Sequence, residues 1–377
     1  MKLSGKYILI SLITAILHLG GFFPANAADE NPSETELLFA EWINDARKNP
    51  LALAASLGMD TEKIWNELPD LHDILINGIE PLVFDVRIYG SARSHAEDMI
   101  AGAYYASQSP EGNTVEDRLF ARHYFPVTAG ESLGMISFVN YMDSKKAARL
   151  IFENMFREEL KPGNVQRNIL NPNRKDGAVG LSAGLFDFES SSVNVYVAVC
   201  DFADDNTASI ELSISDRINE ERKIAGDMFP LVRHDSLYSA AKEHIHDMAS
   251  RIYFGNISPE GRGPLDRADE NEYYAVSLTE ILGAMVLSDH FVPPAVASRV
   301  LYEEMLNRDP VFFDRHSKHM GIAFEGVVFD IGDGNVLKAY MLMAEVATDS
   351  SIFSPMIPED DYGNFVIFSD DYFGVAQ

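Results

Sequence analysis

The chain has 377 residues, 46% hydrophobic and 11% aromatic, enough for sizeable cores and too many for one small domain. Asp and Glu number 58 against 30 Lys and Arg, a net charge of −28, which repels nucleic acid and anionic membrane surfaces and excludes both as general partners. One cysteine, Cys200, excludes an intramolecular disulfide, and its apolar run Val195–Cys200 reads as a buried strand.

The N-terminus reads as a targeting signal. Basic Lys2 and Lys6 precede apolar Tyr7–Phe23, and Ala25 and Ala27 supply the small residues of a cleavage site. A signal peptide over 1–27 is expected, with an uncleaved anchor as the alternative. No later window reaches the roughly 18 apolar residues of a span, so no transmembrane segment is expected after cleavage.

Ser33-Glu-Thr-Glu36 predicts a capping box. The helix it opens runs through Leu37, Ala40, Ile43, Asn44 and Arg47 to the break at Pro50. Leu51–Leu57 predicts a short helix stopped by Gly58. Val86–Tyr105 is helical, since Ile88, Ala92, His95, Ala96, Met99 and Ala103 recur at three and four. Ala147–Phe156 is a further helix. Ala178–Leu185 and Val193–Phe202 are strands around the polar turn Glu189–Ser192.

The chain then repeats itself. Shifted by 149 positions, Pro81–Gly134 aligns with Pro230–Gly283 without a gap, with 20 identities in 54 positions against about 3 by chance. His95, Asp98 and Met99 recur as His244, Asp247 and Met248. Ser109-Pro-Glu-Gly112 recurs as Ser258-Pro-Glu-Gly261, Asp117-Arg118 as Asp266-Arg267, and Glu131 as Glu280. Two duplicated domains are expected, 28–204 and 213–348, joined near Asp204–Leu212 and followed by an acidic tail, 349–377. The tail's Asn364–Phe368 reads as a strand added to a sheet edge of the chain's own fold, with a partner's sheet as the alternative.

The ordered set Pro-Leu-x-x-Asp-x-x-Ile, Ala-x-x-His-Ala-x-Asp-Met, Tyr-Tyr-x-x-x-Ser-Pro-Glu-Gly, Asp-Arg and Gly-Glu-Ser, over Pro81–Ser132, resembles the CAP superfamily, called SCP-like in bacteria. The resemblance implies an α+β fold: tandem α-β-α sandwiches, helices packed on an antiparallel sheet. It also implies a cleft whose two His and two Glu can hold a divalent metal. The family's first His falls on Ser107 and Asn256, and its last on Val165. Its glutamates fall on Glu131 and Glu153 in the first copy and on Glu280 and Glu303 in the second. Ser107, Glu131, Glu153, Asn256, Glu280 and Glu303 are the expected cleft residues. With the His pair gone, no cofactor is required. At most a weakly bound divalent cation is expected, with Glu280, Glu303, His316 and His319 as its ligands.

Other motifs read as structural. Gly180-Leu-Ser-Ala-Gly184 spells a nucleophile elbow at Ser182, but a strand pattern follows where a helix is needed. Asp330–Asn335 lacks calcium-loop spacing and reads as a hairpin turn. The expected function is a secreted or periplasmic, non-catalytic binding module for a small molecule, lipid, peptide or cell-wall glycan. Two alternatives stay open: a cleft hydrolase using the glutamates, with or without metal, and a structural scaffold. The sequence leaves oligomeric state undetermined.

Overall fold

The computed structural model describes residues 31–349, except 189–190, 227, 289, 309 and 333–334. The expected signal peptide, the tail beyond 349 and the tips of both strand turns lie outside these residues. Among the described residues, eleven α-helices and two four-stranded sheets make an α+β fold. Packing divides the chain at residue 210 into two compact units, with 284–300 and 326–340 grouped with the first.

The first sheet belongs to a run of elements from Glu34 to Asp204. Helices α1 (Glu34–Lys48), α2 (Pro50–Ser56), α3 (Thr61–Glu67) and α4 (His72–Asn77) precede strand β1 (Val83–Phe84). Then come α5 (Val86–Ala101), α6 (Val115–Ala121), β2 (Thr128–Phe138), α7 (Ser144–Glu159), β3 (Asp176–Phe188) and β4 (Ser191–Asp204). Strand order is β1-β3-β4-β2. The three long strands are antiparallel, as expected. The sheet is nevertheless mixed, because β1 adds a short parallel edge with Val83 opposite Asp176. The long helical crossover between β1 and β3 permits that pairing.

The capping box forms as predicted: Ser33 Oγ accepts from Glu36 N, and Ser33 N donates to Glu36 Oε2 at 2.8 Å. Period-two alternation along β4 then builds two cores. Val195, Val197 and Val199 pack on Ala92, Ala96 and Met99 of α5. Ala198, Cys200 and Phe202 point the other way, into a core with Phe39 and Ile43 of α1 and Phe152 of α7. Helices thus cover both faces, and Cys200 is buried on its strand as expected.

Gly180 sits where α5 crosses β3. An added Cβ there would collide with the backbone of Ala92 and Arg93. The glycine of the elbow-like motif is therefore a packing residue. Ser182 lies mid-strand, with no helix after it.

Three polar residues pin α1 to its surroundings. Glu36 Oε1 accepts from Leu181 N at 2.9 Å and from Arg93 at 3.0 Å. Asn44 brackets the backbone of Leu82, donating to its carbonyl at 3.2 Å and accepting from its N–H at 2.8 Å. Arg47, fully buried, donates to the carbonyls of Glu80, Ile169, Asn171 and Arg174 at 2.7–3.1 Å.

The second sheet belongs to α8 (Ala208–Gly226), β5 (Val232–Arg233), α9 (Asp235–Arg251), α10 (Pro264–Glu270), β6 (Ala275–Leu287), α11 (Pro294–Arg308), β7 (His319–Gly332) and β8 (Asn335–Asp349). Its order, β5-β7-β8-β6, with β5 parallel to β7, reproduces the first. The expected joint, 204–212, is already helical from Ala208.

The pins recur as well. Glu211 accepts from Phe324 N at 3.1 Å, and Asn219 brackets Leu231 at 3.0 and 2.7 Å. Arg222 donates to the carbonyls of Phe229, Phe312 and Asp314. The correspondence between the two runs of elements therefore extends to their opening helices, which the fixed shift of 149 missed. No counterpart of α2–α4 follows α8 among the described residues, and that shortening moves α8 out of register with the rest.

Candidate functional site

The repeated motifs converge on one polar cluster per unit, between the α5-type helix and the sheet. Strand β2 places Glu131 opposite Asp201 of β4. Helix α5 brings His95 and Ser91 over them, and α6 brings Arg118. His95 Nδ1 lies 2.8 Å from Glu131 Oε2, and Arg118 donates to the same oxygen. Arg118 also donates to the carbonyls of Ser107 and Asn113 at 3.0 and 3.3 Å. Ser91 Oγ donates to Asp201 Oδ2 at 2.7 Å. Asn168 Nδ2 donates to the Glu131 carbonyl at 2.9 Å.

The second cluster is built alike. His244 Nδ1 lies 3.1 Å from Glu280 Oε2, and Arg267 donates to that oxygen at 2.7 Å. Arg267 also donates to the Asn256 and Arg262 carbonyls at 2.9 and 3.1 Å. Asn256 Nδ2 donates to the Glu280 carbonyl at 2.9 Å. Glu345 of β8 stands where Asp201 stands in the first. Burial and the neighbouring Glu280 push its carboxyl up to about 9.

The Ser-Pro-Glu-Gly loop shapes the rim of each cluster. Gly112 and Gly261 take φ of 95° and 87°, and each donates its N–H to the serine carbonyl at 2.9 Å. That tight turn carries the Ser107 and Asn256 carbonyls to the arginines.

Of the expected cleft residues, Asn256 meets the Glu280 carbonyl and the Ser107 carbonyl reaches Arg118, while Glu153 and Glu303 stand apart from the motif glutamates. The Glu131 and Glu280 side chains are 2% and 0% exposed, and each commits Oε2 to a His and an Arg. Glu153 rides on α7, whose Ile151 and Met155 pack against Gly134. Strand alternation puts Gly134 and Glu131 on opposite faces of the sheet. Glu153 instead pairs with Arg149 at 2.7 Å, under the face of Trp42. Glu303 is likewise on α11, which packs against Gly283, three residues from Glu280, and it pairs with Arg217 at 3.5 Å. The Ser107 side chain is exposed, and Val165 is 90% exposed.

The donor set does not fit a divalent metal. His316 is exposed, with its backbone N on Asp314. His319 holds the Tyr273 hydroxyl at 2.8 Å, its ring 5.4 Å from that of His234. Among the described residues, no three His, Cys, Asp or Glu side chains gather closely enough to hold a metal ion. A recess of about 40 Å³ beside Asn44, Leu82 and Phe84 takes a water molecule, not a lipid chain.

Ser91, Asp201 and Glu345 were not legible as site residues, and the arginines were seen only as repeated letters. The available signal was a lone acid inside an apolar strand, Asp201 within Val195–Ala203 and Glu345 within Ala339–Ala347.

No family model matches the chain, and no curated protein does. Among solved structures, it is similar to an outer surface protein from Borrelia burgdorferi, at 15% identity and a TM-score of 0.30, over 38% of this chain and 96% of that one. It is also similar to an SCP-domain extracellular protein from Bacillus anthracis, at 14% identity and a TM-score of 0.26, over 48% of this chain and 69% of that one. Both overlaps are too loose to establish a family. No described helix is long and apolar enough to cross a membrane.

Proposed function

We propose that the protein is a secreted or periplasmic chain of two tandem CAP-like units, and that it works by binding a partner rather than by catalysis. The observation that carries this reading is the fate of the motif glutamates. A hydrolytic carboxylate must reach a water or a substrate. Glu131 and Glu280 reach only His, Arg and a second buried acid. The clusters serve as cores that hold the Ser-Pro-Glu-Gly loops in place. Recognition then falls to the rest of the surface, for a lipid, a peptide or a wall glycan.

The test uses the chain lacking residues 1–27. Metal analysis is combined with turnover assays on wall-glycan, ester and peptide substrates, and with binding of the same panel by calorimetry. The expected result is binding of one class without turnover. Turnover abolished by Glu131→Gln in a variant that stays folded would overturn the reading in favour of the hydrolase.

A further inference from the structure

We infer that in each unit the two buried carboxyls, Glu131 with Asp201 and Glu280 with Glu345, share one proton, so that each unit is locked in acid and loosened in alkali.

The geometry comes first. Glu131 and Asp201 are directly opposed on neighbouring strands. Both are buried, and Glu131 Oε1 and Asp201 Oδ1 each lack a conventional donor. The members of each pair act on one another: Glu131 raises Asp201, and Glu280 raises Glu345, whose own carboxyl oxygens also lack a donor. Two bare carboxylates so placed repel, whereas one proton between them supplies a donor–acceptor bond. Glu131 Oε2 already faces Arg118 and His95, so Asp201 is the partner that carries the proton outward to Oε1.

The groups facing the first pair are few. They are Ser91 and His95 from α5, Arg118 from α6, and Tyr105 from the loop between them, whose phenol is raised by burial and by Glu131. In the second pair they are His244 from α9 and Arg267 from α10. Burial first, and then the facing glutamate, drive Asp201 well above the ordinary carboxylate range.

The two copies support each other through a paired exchange. The first copy has Ser91 and the shorter Asp201; the second has Ala240 and the longer Glu345. The serine hydroxyl donates to Asp201 in the first copy, and position 240 has no hydroxyl to donate in the second. A buried acid opposite the glutamate is kept by a different pair of residues.

The sign of the pH effect follows. An acid raised in the folded state stabilises fully below its unfolded value, about 4. That contribution is lost as pH rises through the folded value, about 9 for Glu345. Within the window, each shared proton lowers the folding constant about tenfold per pH unit.

The experiment is denaturation of the chain lacking residues 1–27, from pH 5 to 8.5, beside Asp201→Asn, Glu345→Gln and the exposed control Glu62→Gln. An amide in place of the acid donates to the same glutamate oxygen without titrating. Stability of the parent chain should fall with pH, and each cluster variant should remove about one proton's worth of slope while the control removes none. Infrared spectra at pH 7 supply a readout independent of folding: the parent should show protonated-carboxyl absorption that diminishes in each variant. Cluster variants with the parent's slope, or no protonated-carboxyl absorption in the parent at pH 7, would overturn the inference.

Discussion

Replacing Arg118 with methionine separates a structural cluster from a catalytic one. The arginine makes one charge-assisted bond to Glu131 and two bonds to the carbonyls of Ser107 and Asn113. The charged bond contributes roughly 1.5–3 kcal/mol and each carbonyl bond about 1. The methionine stem recovers part of the packing. It leaves Glu131, 2% exposed, with His95 alone beside Asp201. Breaking a buried pair on one side costs about 3–5 kcal/mol, which agrees with the bond-by-bond figure. For a unit of this size that is a fall in Tm of roughly 10 °C, since each kcal/mol moves Tm by about 2–4 °C. Calorimetric scanning of the chain lacking residues 1–27 reads it directly, and the loop between α5 and α6 should exchange its amides faster. A loss under about 1 kcal/mol would mean that Glu131 is solvated without the arginine, and the sealed-core reading would fail.

Three further outcomes are expected. Glu153→Gln should change stability by no more than about 0.5 kcal/mol, because its partner is a half-exposed i,i+4 arginine; chemical denaturation checks it. Gly180→Ala and Gly321→Ala should each destabilise by roughly 1–3 kcal/mol or more, since a Cβ at either position meets helix backbone that cannot yield; the same denaturation assay reads both. Arg47→Met should cost about 3–5 kcal/mol by removing four hydrogen bonds and leaving the buried Ile169 carbonyl without its donor, and limited proteolysis should then cut near Ile169–Arg174.

Much of the fold was legible because its signals are local. The box at Ser33–Glu36, the three-and-four spacing around His95 and the apolar strands ending near Ala203 depend on neighbours in sequence, and each formed, though the helix stops at Ala101 rather than Tyr105, with Ala103 at a φ of 50°. The two-residue strand β1 was not legible, because its pairing with Asp176 and Gly177 is made only in three dimensions. The repeat of Glu36, Asn44 and Arg47 as Glu211, Asn219 and Arg222 was hidden for another reason. A length change between the opening helix and the rest breaks any fixed shift, while backbone pins survive it.

One expected neighbour of Glu131 lies elsewhere. Glu131 and Glu153 are linked by the family pattern, yet the parity of strand β2 sends them to opposite sides of the sheet. The true partner of Glu131 is 70 positions away, at Asp201, and differs in type from its counterpart Glu345. Matching letters between the two copies could not find that partner, since both members of the surrounding exchange, Ser91 for Ala240 and Asp201 for Glu345, change identity. What the two copies keep is a quantity: one guanidinium, one imidazole and two carboxyls in a closed space. With a shared proton between the carboxyls, the remaining negative charge is balanced by the guanidinium, and the cluster can be buried without an uncompensated ion. That electroneutrality explains why the second acid could change length but not chemistry.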